Sequence, residues 1–431
     1  MAKHLIVMSV DAMVFEDLEI LKHCKNTARL LKNGALIERM HTIYPSLTHP
    51  VHVTCMTGCY PDKTGVYSNE HFVPGELNPP WYNSLSDVKT ETIFHAAKKA
   101  GLTTAACRWP VTANGDDVID YLVPEIMDAD LDGDLQSVYA RLGSGRIIED
   151  IVKPNLSMLD GNKRPQYDAF EIKCAADIIK KYKPNLLFTH PGLVDHTRHE
   201  TGLFNDQVTE ALYTVDNWLG ELFRAAEEAG IADDTDFVMM ADHGHLSVCR
   251  VLCPNVFLAE EGLIRMSEDG SLFSWDAYIK TSGLSGMVYL RDPSDCALSA
   301  RVEAFLRKLA ADQIYGIGEV LDREESAARY HLAGEFSFVV ESDGYTAFCD
   351  DWRRPVVREQ NPEDYRYGMS THGHMPEKGP QPTFLAMGPD FIKGAVLEKG
   401  EIVNVAPTFA KVLGLTLPYA DGKPFSELLQ R

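Results

Sequence analysis

The chain alternates between short apolar runs and longer segments in which apolar residues recur every three to four positions. The short runs predict strands at 5–10, 103–107, 186–189, 237–241 and 383–387. The periodic segments predict helices at 18–32, 92–100, 168–181, 205–229 and 403–413. This alternation is typical of an α/β fold, so we predict a mostly parallel central sheet that is flanked by helices.

The pattern changes between the last two of these strands, where short strands surround a single helix. The short strands are predicted at 286–290, 336–341 and 345–349, and the helix is predicted near 301–311. We therefore predict a catalytic core formed by residues 1–248 together with 371–431, and an inserted α+β cap subdomain at 249–370. The loop-rich segment 70–87, which carries Trp81, is predicted to form a further wall of the pocket.

The composition is that of an ordinary folded globular protein, with 45% hydrophobic and 24% charged residues in a chain of 431. Acidic residues outnumber basic residues by 63 to 41, which gives a formal net charge of −22. This surplus argues against a protein that binds a nucleic-acid polymer through its phosphates. A small anionic ligand remains compatible with it, because metal ions can neutralise acidic groups locally.

The N-terminal apolar run at 4–10 ends at Asp11 and lacks the basic stretch and cleavage site of a secretory signal, so we interpret it as the first strand. No uncharged apolar stretch reaches the ~18 residues that a membrane helix needs. The nine cysteines are odd in number and scattered along the chain. These features predict a cytoplasmic protein with reduced thiols and no membrane partner. Whether the chain forms a homodimer is left open.

Carboxylates and imidazoles follow several of the apolar runs directly. In open α/β sheets the site lies beyond the carboxyl ends of the strands, so such residues should converge there. Three carboxylates and three imidazoles supply enough ligands for two zinc-like ions that keep open positions. The six residues are Asp11, Asp195, His199, Asp242, His243 and His372.

Some of these positions have alternatives. Asp195 and His199 would share one face of a helix and bind one ion, but a solvated pair also explains a spacing of four. His196 is a second candidate imidazole in the same segment. His372 stands two residues before His374, and taken alone it fits an ordinary turn histidine.

Thr48 is the candidate nucleophile. Pro50 follows two residues later, and proline favours the first turn of a helix, so a helix should begin at or near Thr48. Free amides and the positive end of the helix dipole would there favour a bound phosphate and the alkoxide form of the side chain. Taken alone, the segment fits an N-cap threonine better. Ser46 is a rival hydroxyl that lacks a comparable helix start.

The motifs around these residues resemble the alkaline phosphatase superfamily, and within it the nucleotide pyrophosphatase/phosphodiesterase (type I phosphodiesterase) group. Segment 48–52 reads THPVH and segment 57–61 reads TGCYP, where the group has TFPNH and TGLYP. Segment 382–391 reads PTFLAMGPDF and is similar to the group's last core strand. The resemblance implies an alkaline phosphatase-like fold, a threonine nucleophile and two divalent metal ions, zinc ahead of manganese.

The resemblance also implies roles for individual residues. One ion would be bound by Asp11, Thr48, Asp242 and His243, and the other by Asp195, His199 and His372. Asn69 falls at the group's phosphate-binding asparagine, so Thr48 and Asn69 are the predicted catalytic residues. His49 stands where nucleotide-cleaving members carry an aromatic residue that stacks on a base, and Arg198 replaces a small residue. Asn69, His49 and Arg198 are the predicted substrate-binding residues.

Together these features predict a metal-dependent phosphodiesterase or pyrophosphatase-type hydrolase. Thr48 would attack the phosphorus of a small phosphodiester or nucleotide-like molecule, and Asn69 would stabilise the developing charge. Two alternatives use the same ligands: a phosphonate-cleaving enzyme of the phosphonoacetate hydrolase type, and a phosphomonoesterase. A non-enzymatic metal-binding scaffold is disfavoured, because the nucleophile position keeps its hydroxyl. The CxPxR segment of sulfatases is absent from the sequence.

Overall fold

The computed structural model describes residues 3–127 and 134–430. These residues form the strands β1 (His4–Ser9), β2 (Ala35–His41), β3 (Thr104–Cys107), β4 (Tyr121–Val123), β5 (Leu186–Thr189), β6 (Thr235–Met240), β7 (Leu246–Ser247), β8 (Arg250–Leu252), β9 (Ile264–Met266), β10 (Leu272–Trp275), β11 (Ala277–Thr281), β12 (Ser285–Leu290), β13 (Ile317–Asp322), β14 (Phe338–Ser342), β15 (Thr346–Phe348), β16 (Val357–Arg358), β17 (Ser370–Thr371), β18 (Phe384–Met387) and β19 (Val396–Glu401).

The same residues form the helices α1 (Leu18–Leu21), α2 (Lys25–Asn33), α3 (Thr48–Thr57), α4 (Pro61–Thr64), α5 (Ile93–Lys99), α6 (Leu135–Leu142), α7 (Lys153–Asn155), α8 (Gln166–Tyr182), α9 (Leu193–Thr201), α10 (Asp206–Ala229), α11 (Pro254–Glu260), α12 (Cys296–Ala311), α13 (Arg323–Tyr330) and α14 (Val405–Val412).

Eight strands form the central sheet, in the order β19-β2-β18-β6-β1-β5-β3-β4. Neighbouring strands are parallel except where β18 pairs with β2 and with β6, and both of those pairs are antiparallel. The predicted α/β fold with a mostly parallel central sheet is therefore confirmed.

Helices cover both faces of this sheet, as alternate residues of β1 demonstrate. Ile6 and Met8 belong to an apolar core that includes residues of α8 and α10. Leu5 and Val7 belong to a second core that includes residues of α3, α5 and α14. Because successive side chains of a strand point to opposite faces, both faces of β1 are buried. This explains why the strand reads as a continuous apolar run instead of an alternating one.

The elements differ from the predicted ones in two respects. The helix predicted at 18–32 is divided into α1 and α2, which are separated by residues 22–24. The sheet strands β2, β4 and β19 were not predicted. Strand β4 has only three residues, and β2 and β19 are partly exposed and carry charged residues among their apolar ones. The five predicted core strands are all present, with ends within two residues of the predicted ones.

Residues 249–370 contain a four-stranded antiparallel sheet in the order β11-β12-β14-β13. Apolar residues of this sheet and of α12 form a core of their own. The chain enters and leaves this region at one place, because β7 pairs with β17 and brings Leu246 opposite Thr371. This is the arrangement that an inserted cap would need, and we keep the cap subdomain as a proposal.

Across the described parts of the chain, no helix is both long enough and apolar enough to cross a bilayer.

Candidate active site

The candidate site lies beyond the carboxyl ends of three neighbouring strands, β6, β1 and β5. Asp11 stands two residues after β1, and Asp242 stands two residues after β6. After β5 the chain turns into α9, which carries Asp195 in its first turn and His199 one turn later. Parallel strands end at the same edge of a sheet, so segments that are far apart in sequence meet here.

The first cluster surrounds His243. Its Nε2 lies 3.5 Å from Asp11 Oδ1, 3.2 Å from Asp242 Oδ2 and 3.2 Å from Thr48 Oγ1. Asp11, Asp242 and His243 are all buried. Three oxygens and one imidazole nitrogen thus face a common point, which is a donor set that suits a divalent cation.

The second cluster surrounds Asp195. Its Oδ1 lies 3.2 Å from His199 Nε2, 3.8 Å from His372 Nε2 and 2.7 Å from His245 Nε2. The His243 and His372 rings stack with their centroids 4.0 Å apart, so the two clusters adjoin. The seven metal-binding residues that the resemblance implies are therefore close together, and His245 joins them.

The unpaired atoms and charges of the clusters fit cations. Asp11 Oδ1 and Asp242 Oδ2 are buried and have no hydrogen-bond partner among the described residues. Burial raises the pKa of Asp11 well above its usual range, and repulsion by the Asp195 and Asp242 carboxylates raises it further. Burial also raises the pKa of Asp242 to about 7. Two divalent cations would remove this cost, because a nearby positive charge stabilises ionised carboxylates.

Burial favours the neutral form of His243, His245 and His372. Burial lowers the pKa of His372 to about 4 and that of His243 well below its usual range. Burial opposes the ionisation of Asp195, yet attraction and hydrogen bonds from His199 and His245 hold its pKa well below the usual range. Neutral imidazoles around an ionised carboxylate are the protonation states that a metal ion requires of its ligands.

Thr48 is the first residue of α3, so the predicted helix start is confirmed. At this position a backbone amide has no acceptor within the helix. His52, one turn later, donates from Nδ1 to the Thr48 carbonyl at 2.7 Å, and its Nε2 lies 2.9 Å from Ser9 Oγ. The Thr48 side chain therefore lies at the amino end of α3, next to His243.

Asn69 lines the same small cavity as Thr48. Its Oδ1 accepts a hydrogen bond from the His49 backbone amide at 2.9 Å. Because the oxygen is used in this contact, the NH₂ end of the amide is the end that is available to a ligand. The geometry thus suits a donor to a phosphoryl oxygen.

The two other predicted substrate-binding residues, His49 and Arg198, are both engaged by protein groups, and only His49 lines the cavity. His49 lines the small cavity, but its Nδ1 lies 2.6 Å from the Tyr82 carbonyl and its Nε2 lies 3.4 Å from Glu125 Oε2. Arg198 does not reach the cavity. Its buried guanidinium donates to the Ala12 carbonyl at 2.7 Å and to Asp17 Oδ1 at 2.6 Å, so it joins α9 to the segment after β1.

The rival residues also have defined places. Ser46 Oγ donates to the His374 carbonyl at 2.9 Å and is buried away from the cavity. His196 lines the cavity but its side chain is 46% exposed and lies 3.4 Å from Glu200. Of the two histidines in the segment, His199 is therefore the one that faces Asp195 with a buried ring.

Two adjoining cavities lie at the site, and the smaller of them opens onto the clusters. The smaller, of about 200 Å³, is lined by Thr48, Asn69 and residues of both clusters. The larger, of about 760 Å³, extends outward from it. The residues that line both are Trp81, Arg108, Glu125, Arg164 and Tyr365. A ligand can therefore place a reacting group at Thr48 and the rest of its atoms against an aromatic and charged wall.

Several of these residues were missed at the sequence level. Arg108 follows β3 directly, which is the same signal that points to Asp11, but arginine is not a metal ligand and the sequence pattern alone does not mark it as part of the site. It is held by Asp168 Oδ1 at 2.6 Å and lies 3.5 Å from Glu125. His245 is close in sequence to the predicted ligands Asp242 and His243. The direction of its side chain depends on the turn between β6 and β7, which the sequence pattern does not reveal.

The sequence is similar to a known protein family and to individual members of it. Residues 5–367 match the family model described as type I phosphodiesterase / nucleotide pyrophosphatase. The chain is 24% identical to ectonucleotide pyrophosphatase/phosphodiesterase family member 1 from Homo sapiens over 228 residues, which cover 50% of this chain and 20% of that protein. It is 22% identical to family member 3 from Mus musculus over 392 residues, which cover 88% of this chain and 38% of that protein. The chain thus spans well under half the length of these two relatives.

Solved structures share the fold. Murine ectonucleotide pyrophosphatase/phosphodiesterase 5 superposes with a TM-score of 0.71 at 17% identity, covering 99% of this chain and 100% of that one. An inactive variant of the same murine protein in complex with AMP gives a TM-score of 0.72 at 17% identity, with 100% of both chains covered.

Proposed function

The chain belongs to the type I phosphodiesterase / nucleotide pyrophosphatase family, and from this we propose that it is a metal-dependent hydrolase of small phosphodiesters or nucleotide-like molecules. The observation that carries the proposal is the position of Thr48. Its hydroxyl lies at the amino end of α3, 3.2 Å from His243 Nε2 and beside two adjoining clusters of carboxylates and imidazoles. A hydroxyl in such surroundings is poised to act as a nucleophile.

Two divalent cations fit the site, zinc ahead of manganese, and would supply Lewis acidity toward the phosphoryl oxygens. The residues that would hold one of them are Asp11, Thr48, Asp242 and His243, and those for the other are Asp195, His199 and His372. The support for both is the donor set itself, together with the unpaired carboxylate oxygens of Asp11 and Asp242.

Thr48 Oγ loses its proton to water and attacks phosphorus. The bond to the leaving oxygen breaks as the new bond forms, and that oxygen departs as an anion or takes a proton from water. The product of this step is a phospho-threonine, which water then cleaves to release phosphate or its ester and restore the hydroxyl. The amino end of α3 favours loss of the Thr48 proton and binding of the anionic group. Asn69 donates from its NH₂ end to a non-bridging oxygen, as an oxyanion-hole residue does.

The cavities support a substrate with an organic group beside the phosphorus. Trp81 and Tyr365 line both cavities, with ring centroids 5.3 Å apart, and offer an aromatic surface for that group. The murine relative solved with AMP supports a nucleotide-like ligand. His49 is engaged by Tyr82 and Glu125, so we propose that Trp81 and Tyr365, instead of His49, contact a planar group.

A substrate panel tests this function. Purified protein should hydrolyse bis-p-nitrophenyl phosphate faster than p-nitrophenyl phosphate or phosphonoacetate, should lose activity on chelation, and should regain it with zinc or manganese. Thr48→Ala should abolish turnover at full metal loading. A preference for the monoester, or activity that survives Thr48→Ala, would contradict the proposal.

A second candidate function, the cleavage of phosphonates or phosphomonoesters, is favoured by Arg108 and Arg164. Both residues line the small cavity together with Thr48. Arg164 also pairs with Asp168. Two guanidinium groups beside the reacting centre suit a substrate with a second anionic group, such as a phosphonate that carries a carboxylate, or a phosphomonoester. Under this function Arg164→Ala should lower the turnover of phosphonoacetate or a monoester at least tenfold more than that of the diester. Equal losses would count against it.

We also propose a cytoplasmic location, and the support for it is that all nine cysteines are unpaired. Thiol titration of protein that is isolated without reductant and then denatured should find nine reactive groups. A smaller number would indicate disulfides and an oxidising compartment.

A further inference from the structure

His245 is the one imidazole at the Asp195 cluster that the resemblance leaves without a role. It is fully buried, and its Nε2 lies 2.7 Å from Asp195 Oδ1. Together with His199 and His372 it surrounds the same carboxylate oxygen. The position of the proton on the His245 ring decides whether Nε2 donates a hydrogen bond or offers a lone pair to a cation.

The hydrogen bonds of Ser370 settle the position of that proton. Ser370 Oγ lies 2.6 Å from the Arg198 carbonyl, which can only accept, so the single hydroxyl proton of Ser370 is donated there. Ser370 Oγ also lies 3.0 Å from His245 Nδ1. Since the hydroxyl proton is already used, Nδ1 must be the donor in this second contact. In the neutral ring, the lone pair of His245 is therefore on Nε2.

The other two imidazoles are oriented in the same way. His199 Nδ1 donates to the Ser370 carbonyl at 2.8 Å, and His372 Nδ1 lies 3.2 Å from the Ser46 carbonyl. Each ring is thus tied to a protein acceptor through Nδ1 and directs Nε2 toward Asp195. Protein acceptors of this kind orient histidines that bind metals.

A lone pair on His245 Nε2 at 2.7 Å from a carboxylate oxygen is repulsive unless a positive charge lies between or beside them. A cation in contact with both atoms removes the repulsion. Three imidazole nitrogens and one carboxylate oxygen are also a ligand set that suits zinc, which can expand to a fifth ligand when a substrate oxygen binds. The cation would then have four protein ligands, whereas the resemblance implies only Asp195, His199 and His372.

We propose that His245 Nε2 is a fourth protein ligand to the divalent cation at Asp195, His199 and His372. This inference rests on the two-metal centre of the proposed function. Each cation would then have four protein ligands, because Asp11, Thr48, Asp242 and His243 already supply four to the other one.

Anomalous diffraction from crystals of the zinc-loaded wild-type protein tests the contact directly. His245 Nε2 should lie about 2.0–2.1 Å from the ion, as zinc-bound histidines do. A distance above about 3 Å, with Nε2 still beside Asp195, would overturn the proposal and make His245 a protonated positioning residue. The wild-type protein suffices, so the result does not depend on a variant that folds.

Metal competition with a chromophoric chelator adds a second readout. His245→Ala should weaken one of the two zinc sites at least tenfold and leave the other unchanged. The matched control is His196→Ala, which removes an exposed imidazole beside Asp195 and should retain both sites at wild-type affinity. Equal affinities in wild type and His245→Ala would overturn the proposal.

Cobalt substitution separates a ligand from a residue that only orients Asp195. Loss of a ligand changes either the coordination number or the donor type, since water can take the place of the imidazole, so the visible absorption of the cobalt-loaded protein should differ between wild type and His245→Ala in band position and intensity. An unchanged spectrum would overturn the proposal. If the protein binds two ions with His245 as ligand but does not cleave the diester, the proposed function fails and this inference stands. If it cleaves the diester with His245 distant from the ion, only this inference fails.

Discussion

At the scale of single residues, the side chain of Thr48 is the part of the site that the proposed chemistry needs most. Thr48→Ala should reduce diester turnover on the order of 10³-fold or more, since removal of a nucleophile costs orders of magnitude in kcat. Thr48→Ser keeps the hydroxyl and should retain measurable activity. Steady-state kinetics at saturating zinc, with metal content determined in parallel, would compare the two. Substantial turnover by Thr48→Ala would exclude a covalent mechanism through this residue.

Substitutions of Asn69 can test the roles of its amide oxygen and its NH₂ group separately. Asn69→Asp keeps an oxygen for the His49 backbone amide but loses the donor that would face the substrate. We expect it to lower kcat about 10²–10³-fold, as removal of an oxyanion-hole donor does, with little change in Tm. Asn69→Ala loses both contacts and should also lower Tm. If Asn69→Asp kept its activity while Asn69→Ala did not, the role of Asn69 would be structural.

The residue scale also shows what a motif can and cannot predict. The spacing and flanking sequence of Asp195 and His199 sufficed to place them on one helical face, as α9 has them. Arg198, one residue away, was interpreted from its charge alone. Its direction depends on Asp17 and the Ala12 carbonyl, which belong to a segment some 180 residues earlier. Contacts of that kind leave no signal in the local pattern.

At the scale of elements, α2 begins where a carboxylate from another helix binds its first amides. Asp216 of α10 accepts from the Thr27 amide at 2.6 Å, the Asn26 amide at 3.2 Å and Thr27 Oγ1 at 2.8 Å. This contact explains why the helix predicted at 18–32 is interrupted before residue 25. The apolar period continued through the break, and the capping residue lies far away in sequence, so the period alone could not reveal it.

The same contact leads to a prediction about stability. Asp216→Ala should lower the free energy of unfolding by about 2–3 kcal/mol, because it removes a cap and leaves buried donors unsatisfied. Urea denaturation measures the change. Glu210→Ala, an exposed position on the same helix, is the control and should change stability by less than about 0.5 kcal/mol. Equal effects of the two substitutions would show that Asp216 does not hold α2.

At the scale of the whole molecule, the sheet order assembles the site. The rule that ligands meet beyond the carboxyl ends of parallel strands was enough to bring Asp11, Asp195 and Asp242 together from the sequence. The order β6-β1-β5 explains why the rule worked, since these strands are neighbours. The walls of the cavity could not be predicted in this way. Tyr365 comes from a loop and donates to Glu70 Oε1 at 3.2 Å, a contact between residues 295 positions apart in the sequence.

The buried carboxylates make the stability of the whole molecule depend on metal and on pH together. In the metal-free protein, burial raises the pKa of Asp242 to about 7 and that of Asp11 well above its usual range, whereas an unfolded aspartate titrates near ~3.9. Between these values the folded state binds more protons than the unfolded state. The contribution of these groups to the free energy of unfolding is therefore complete below about pH 4 and is lost as pH rises through about 7.

Cations reverse this dependence, because they bind the ionised carboxylates and compete with protons. The Tm of the zinc-loaded protein should thus exceed that of the chelated protein by an amount that grows from pH 5 to pH 8. Scanning calorimetry of both forms at unit pH steps measures the difference. In Asp242→Asn, which cannot ionise at this position, the chelated form should lose less stability over the same range. A Tm difference that stays constant with pH, or that shrinks as pH rises, would mean that these carboxylates do not bind the metal ions.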